Sequence, residues 1–250
     1  LGKAGRAIYE DGWGESLQSI MEDVTVVQKN LGKMSAEMTQ QATKMAVVIE
    51  DLWDAPVEET TRTVSVMMKT FDGLSQTDAF DIITSGMQNG LDFSGELLDT
   101  LREYSPQFNQ MGLSAADMLN TLNAGTKAGA WNLDKIGDAV KEFNIRAKDG
   151  SKTTASGFSS IGLSAGKMGQ AVAAGGPTAA KAFKTTLKAL SSIQDPIKRN
   201  IAGVELFGTQ FEDLGLDVIK AMADSSGAML DFKGATEAAA KAANDNFTHN

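Results

Sequence analysis

The sequence has no cysteine, which excludes disulfides, thiolate metal sites and thiol nucleophiles together. Its single histidine, His249, is next to last in a polar tail, so a nucleophile–histidine pair has almost nothing to draw on. Prolines number 4 and aromatic residues make up 6%, which leaves long stretches without the residue that breaks helices. No apolar run approaches the roughly 18 residues needed to cross a bilayer. Met45-Ala46-Val47-Val48-Ile49 is among the longest. Basic residues are in the minority, 23 against 32 acidic ones, for a net charge of −9. That balance argues against specific nucleic-acid binding through phosphate neutralisation and against a polybasic membrane contact. It favours solubility. The start, Leu1-Gly2-Lys3, has neither a methionine nor a signal-peptide pattern, and the chain reads as a segment of something longer.

What is present is apolar and glycine-punctuated. The 250 residues are 42% hydrophobic, enough for one large core or two small ones, and glycines number 25. The tripeptide Gly-Leu-Ser occurs at Gly73, Gly112 and Gly162, each time opening an apolar-periodic stretch. The first two copies lie 39 residues apart, and Asp78/Asp117, Gly86/Gly125, Gly90/Gly129, Asp99/Asp138 and Glu103/Glu142 are identical at that offset. A repeat of this length marks stacked helical hairpins, each too small to bury its apolar face alone.

Each serine fits an N-cap, accepting from an orphan amide of the first turn. Asp78 and Asp117 fall where a carboxylate completes a capping box, whereas Lys167 replaces it in the third copy and predicts a weaker cap. The leucines can staple onto the N4 residues, Met118 for Leu113 and Met168 for Leu163. In the first unit one helix carries Phe80, Ile83 and Met87 and stops near Gly86 to Gly90. A second carries Leu97, Leu101 and Tyr104 and ends before Pro106. The distance from serine to closing apolar residue is 29 in all three units, at Tyr104, Phe143 and Ile193, with an insertion near Gly150 to Ile161. A fourth, degenerate unit begins at Ser35, and its second helix starts near Pro56 and runs to Phe71. Leu17, Ile20, Val24, Val27 and Leu31 onward follow heptad spacing and could form one long coiled coil. The stop signal at Asn30-Leu31-Gly32 favours two helices broken near Gly32.

The expectation is therefore an all-α protein, an array of short helical hairpins that is either solenoid-like or an irregular bundle. Residues 1–33 form a helical lead-in. Residues 34–195 form the hairpin repeats (about 34–72, 73–111, 112–161 and 162–195). Residues 196–250 supply helices at 197–207, 210–223 and 235–243, with fraying from Asn244 to Asn250. No stretch alternates long enough to make a strand.

Chemistry has little to rest on, and the sequence offers no catalytic, cofactor-binding or metal-ligating residues. Gly86-Met87-Gln88-Asn89-Gly90 and Ala173-Ala174-Gly175-Gly176-Pro177 lack the phosphate-binding lysine and a preceding strand, and read as hairpin turns. Glu58-Glu59 belongs to a first helical turn and Glu212-Asp213 to a solvated face, rather than to an acid–base pair. Met34, Met38, Met45, Met67, Met68 and Met118 lie on helical faces and read as core filler, or else as an exposed docking groove. Trp13, Trp53 and Trp131 fall at helix joints, which they would anchor.

Four separated stretches resemble one family in order. They are Gly5–Glu15 (GRAIYEDGWGE), Gly95–Ser105 (GELLDTLREYS), Gly137–Ser151 (GDAVKEFNIRAKDGS) and Asp195–Gly215 (DPIKRNIAGVELFGTQFEDLG). They are similar to the tape-measure proteins of long-tailed bacteriophages, with a likeness running from Gly5 to Ala223. The resemblance implies a virion structural protein that fills the tail-tube lumen, sets tail length and leaves ahead of the DNA. It implies tail-tube, tail-tip and tail assembly chaperone proteins as partners, self-association in the tail lumen, and a location in the virion tail after assembly in the host cytoplasm. It implies no enzyme: some of these proteins carry murein-cleaving regions, and those motifs are absent from the sequence. The other readings are a helical-repeat scaffold that docks a protein, and, last, a murein hydrolase or other host-envelope enzyme. A hairpin array several helices wide suits an unassembled or ejected state better than a narrow tube.

Overall fold

The computed structural model describes residues 2–225 and 230–247, and every regular element among them is helical. The chain divides into two compact units. The first takes in Leu1–Asp92, Leu97–Arg102 and Asp231–Asn250, the second Phe93–Glu96 and Glu103–Leu230.

The first unit contains α1 (Gly2–Glu10), α2 (Leu17–Leu31), α3 (Ala36–Trp53), α4 (Val57–Thr70), α5 (Gln76–Gln88), the start of α6 (Leu97–Gln110) and α14 (Ala235–Phe247). The break near Gly32 is real. Gly32 closes α2 at φ 88°, and the Ser35 side chain caps α3 by accepting from the Met38 amide. Heptad spacing therefore gives a hairpin here rather than one long helix, because the left-handed glycine reverses the chain. Helix α2 packs on α1, α3 and α4, and α14 returns from the far end of the sequence to lie on α3 and α5. Ile8, Ile20, Val24, Val27, Ile49, Val64, Met67, Phe80, Ile82 and Ile83 fill the core.

The second unit contains the rest of α6, α7 (Ala115–Lys127), α8 (Leu133–Arg146), α9 (Lys152–Ser160), α10 (Ala165–Ala174), α11 (Gly176–Ser191), α12 (Pro196–Phe207) and α13 (Gln210–Asp224). Its centre is an aromatic cluster in which the Phe143 ring lies 6.2, 5.3 and 5.2 Å from those of Phe158, Phe183 and Phe207. These four rings come from α8, α9, α11 and α12 and are fully buried. Non-neighbouring helices pack here too, α12 on α8 and α9 and α13 on α7. A solenoid makes contacts only between sequential repeats, so each unit is an irregular bundle.

The Gly-Leu-Ser units behave as local chemistry dictates. Ser75, Ser114 and Ser164 accept from the amides of Asp78, Asp117 and Lys167 at 3.0, 3.1 and 3.4 Å, so the third cap is the longest. Only Asp117 completes the capping box; Asp78 turns instead to Lys233 at 2.9 Å. Each glycine is left-handed, with φ of 77°, 68° and 74°. At the second and third copies the leucine amide bonds back five residues, Leu113 to the Phe108 carbonyl and Leu163 to that of Phe158. The tripeptide thus ends one helix and caps the next.

Four sequence expectations need correction. Helix α6 does not end before Pro106 but carries it inside and continues to Gln110. Burial of Phe108 and Met111 along the extra turn outweighs the missing amide hydrogen bond. The insertion near 150–161, for which no element was expected, contains a helix: Ser151 caps α9, and Phe158 seats it in the aromatic cluster. Ile193 falls beyond the end of α11 and is only half-buried, unlike Tyr104 and Phe143, so the third unit does not close as the first two do. Residues 244–247 stay helical in α14, while Thr248, His249 and Asn250 lie outside the described residues. Helix α13 is also kinked at Gly215, where φ is 73°.

Candidate functional site

A cavity of about 620 Å³ in the first unit lies among α3, α5 and α14. Its polar centre is Asp81, which is 2% exposed. Asp81 Oδ2 accepts from the Gly234 amide at 2.7 Å and Oδ1 from the Thr236 amide at 3.0 Å. The Thr84 and Thr236 hydroxyls meet at 2.8 Å. The carboxylate is thus the N-cap of α14, supplied from 155 residues away in sequence. With both oxygens committed to backbone amides it is an anchor, placed by the apolar face of α5 that buries Phe80, Ile82 and Ile83 around it. Met45 and Val48 give the cavity an apolar wall, and Lys44, which also faces it, pairs with Asp11 at 2.6 Å.

The carboxylate pairs weighed from sequence go to ion pairs. Glu58 and Glu59 sit in the first turn of α4, as expected. Glu58 meets Lys29 at 3.7 Å and Arg62 at 3.1 Å; Glu59 meets Arg62 at 3.1 Å and Arg102 at 2.6 Å. Arg102 also binds Asp99. The Arg102 hydrogen bond holds the Glu59 carboxyl below its usual range, so it stays charged. Asp213 pairs with Lys135 at 2.9 Å, which raises the lysine, and Glu212 accepts from Asn200 at 3.4 Å. Gly86–Gly90 closes α5, and Gly175 both ends α10 and begins α11, so both glycine clusters are turns. His249 lies outside the described residues. Among the described residues no three His, Cys, Asp or Glu side chains are arranged to hold a metal ion. No described helix is long and apolar enough to cross a membrane.

Two groups are perturbed without having stood out in the sequence. Asp23, half-buried on α2, is pushed up to about 6, first by burial and then by Glu50, Glu22 and Asp51. Glu50 is raised too, by burial and then by Asp51 and Glu15, against the Val57 amide that bonds it at 3.3 Å. In the second unit burial raises the Tyr104 phenol, and its hydroxyl donates to Asp138 at 2.9 Å. Only a fold that brings α2 and α3 together, or α6 and α8, makes these pairs. The methionines divide: Met45, Met67 and Met118 are buried, while Met38 and Met68 are exposed. Trp13 anchors its joint at 3% exposure, but Trp131 is 61% exposed with Lys135 over its ring and anchors nothing.

These residues build a scaffold of capped helices whose paired carboxylates serve as anchors and ion pairs. The family described as phage-related minor tail protein matches residues 11–208. This chain belongs to that family. The match takes in α2 to α12, including the stretches Gly95–Ser105 and Gly137–Ser151 whole. As a phage tail protein it is a virion structural component. The chain is also 33% identical over 236 residues to the probable tape measure protein of Streptomyces phage phiC31. That alignment covers 94% of this chain and 31% of the phiC31 protein, so the chain spans about a third of that relative's length. No solved structure matches it.

Proposed function

We propose that this phage minor tail protein is a module of a tail tape measure. It contributes helical length to a longer polypeptide that fills the tail-tube lumen, sets the length of the tail and leaves ahead of the DNA. The observation that carries this is the 33% identity to a probable tape measure protein along nearly the whole chain. Its partners are the tail-tube and tail-tip proteins and, during assembly in the host cytoplasm, the tail assembly chaperones. Its work is structural rather than enzymatic, and specific nucleic-acid binding has no part in it. In support, the paired carboxylates are held by arginines, lysines and backbone amides rather than poised around a free groove. The repeat segments 34–72, 73–111, 112–161 and 162–195 are the length units. The compact bundles belong to the unassembled or ejected form, and compact globular density in the lumen of intact tails would overturn that part.

The test is an in-frame deletion of residues 73–111 in the phage. Tails measured by electron microscopy shorten by about 58 Å if the segment is helical in the lumen, at 1.5 Å per residue. Tails of unchanged length would refute the ruler role for this segment. The protein-docking scaffold is favoured by one observation, the exposure of Ile197 (71%) and Ile201 (53%) one turn apart on α12. A pull-down from tail-less host lysate that is insensitive to changing both to serine would count against it.

A further inference from the structure

Asn89-Gly90 is the one asparagine–glycine pair in the sequence. The backbone nitrogen that follows an asparagine can attack the side-chain amide, and glycine puts no side chain in its way. Asn89 is exposed, and nothing lies within 4 Å of the place a Cβ would take on Gly90. Solvent and space are therefore available to the reaction, and local conformation decides whether it runs.

The turn that ends α5 sets that conformation. The Asn89 amide donates to the Ser85 carbonyl at 3.1 Å, Gly90 to Met87 at 3.0 Å and Leu91 to Gly86 at 3.0 Å. The side chain is tied as well, Asn89 Nδ2 donating to the Ser85 carbonyl at 2.8 Å. Leu91 is fully buried and pins the far side of the turn to the core of the first unit. Closing a five-membered ring requires the Cβ, Cα and carbonyl carbon of Asn89 to become nearly coplanar with the Gly90 nitrogen. At ψ 8° it is the Asn89 nitrogen that nearly eclipses the Gly90 nitrogen, so Cβ lies a third of a turn away. Rotating that bond breaks the Gly90 and Leu91 hydrogen bonds. The turn itself does not need asparagine. Its counterpart 39 residues on, at the end of α7, is Ala128-Gly129, where Gly129 donates to Thr126 at 3.0 Å and Ala130 to Gly125 at 2.9 Å.

We propose that Asn89 is a self-modification site, shut by the last turn of α5 in the folded chain and active whenever that turn opens. The Gly90 nitrogen then bonds to Cγ of Asn89, the Cγ–Nδ2 bond breaks, and the Gly90 proton leaves with Nδ2 as ammonia. Water opens the resulting cyclic imide at either carbonyl, giving aspartate or isoaspartate. Neither product suits the original turn. Aspartate puts a carboxylate in place of the Nδ2 donor, against the Ser85 carbonyl at the negative end of α5. Isoaspartate lengthens the main chain by one carbon, which displaces the Gly90 and Leu91 donors. Opening of α5 thereby becomes one-way, because a chain left open long enough is hindered from rebuilding the turn. The proposal stands apart from the ruler reading, since the chemistry is the same whether or not the chain sets tail length.

Peptide mass mapping of the 250-residue chain tests it, because the tryptic fragment 70–102 holds Asn89 and no other asparagine. The chain is incubated at mildly alkaline pH, folded in buffer or unfolded in guanidinium chloride, and the gain of one mass unit at Asn89 is followed with time. The folded chain converts about tenfold or more slowly than the unfolded one, since it reacts only through opening of the turn. Leu91→Ala loosens the turn, leaves the pair intact and speeds conversion of the folded chain. Ala128→Asn builds the same pair into the turn of α7, and position 128 is then protected as Asn89 is. Chain aged in guanidinium chloride and refolded regains less hydrogen-exchange protection in α5 than fresh chain, whereas Asn89→Ala aged in the same way regains all of it. Equal rates in the folded and unfolded chain at either position, or an unmodified Asn89 in the unfolded chain, would overturn the proposal. So would a folded Leu91→Ala chain that converts no faster, or full recovery of protection by aged chain that carries the modification.

Discussion

Alanine at the three Gly-Leu-Ser glycines has sharply different consequences. Gly73, Gly112 and Gly162 have nearly the same left-handed φ, so each alanine carries the same backbone cost of about 1–2 kcal/mol. Around Gly73 and Gly162 an added methyl group meets nothing within 4 Å. At Gly112 it would sit 1.8 Å from the Gly176 carbonyl oxygen, 2.2 Å from its carbon and 2.6 Å from its Cα. Those are backbone atoms at the start of α11, so no side chain can swing aside. The two segments must move apart by about 1.5 Å, and overpacking of this kind costs about 1–3 kcal/mol. Gly112→Ala should therefore lose about 2–5 kcal/mol, against about 1–2 for Gly162→Ala in the same unit. Native-state hydrogen exchange at the Phe143 and Leu187 amides, both in that unit, reads the difference directly. If Gly112→Ala and Gly162→Ala agree within about 0.5 kcal/mol, the close approach of Gly112 to Gly176 is not what makes Gly112 irreplaceable.

Asp81→Ala removes the cap of α14 and leaves the Gly234 and Thr236 amides without their acceptor. At about 1.5–3 kcal/mol for each of the two hydrogen bonds it should cost about 3–6 kcal/mol. Exchange protection then falls selectively in residues 238–246, and unchanged protection there would refute the anchoring role. Asp23 works in the other direction. Its carboxyl is raised from 3.8 to about 6 in the folded chain, so between those values the unfolded chain releases the proton first and stability falls as pH rises. Asp23→Asn should stabilise the protein at about pH 7.5, by up to about 1 kcal/mol after solvent screening, and have no effect near pH 3. A gain that is equal at both pH values would show that charge is not the cause.

Much of the helical layout was legible because its signals act over a few residues. Ser35, Ser75, Ser114 and Ser164 cap the helices that follow them, and Gly32 separates α2 from α3, since capping and left-handed glycine are decided within about one turn. Pro106 misled for the same reason. Local rules end a helix there, but the burial of Phe108 and Met111 holds the extra turn. Helix α9 was not legible because Lys152–Ser160 is short and nearly without apolar periodicity, and Phe158 is its one large buried side chain. In the candidate site the fates of Glu58 and Glu59 followed from helix position, whereas Asp81 looked like any other aspartate on α5 until α14 arrived above it.

The sequence by itself determined the all-α class, most helix ends, the lack of thiol and histidine chemistry, and the likeness to phage tail proteins. Only the tertiary structure decided which of three equivalent glycines touches a backbone, which aspartate anchors a helix 155 residues away, and that repeated hairpins pack as irregular bundles. Caps and turns depend on neighbours along the chain, which the sequence states outright. Packing partners depend on which apolar faces meet after every segment has competed for burial, and that outcome belongs to each unit as a whole.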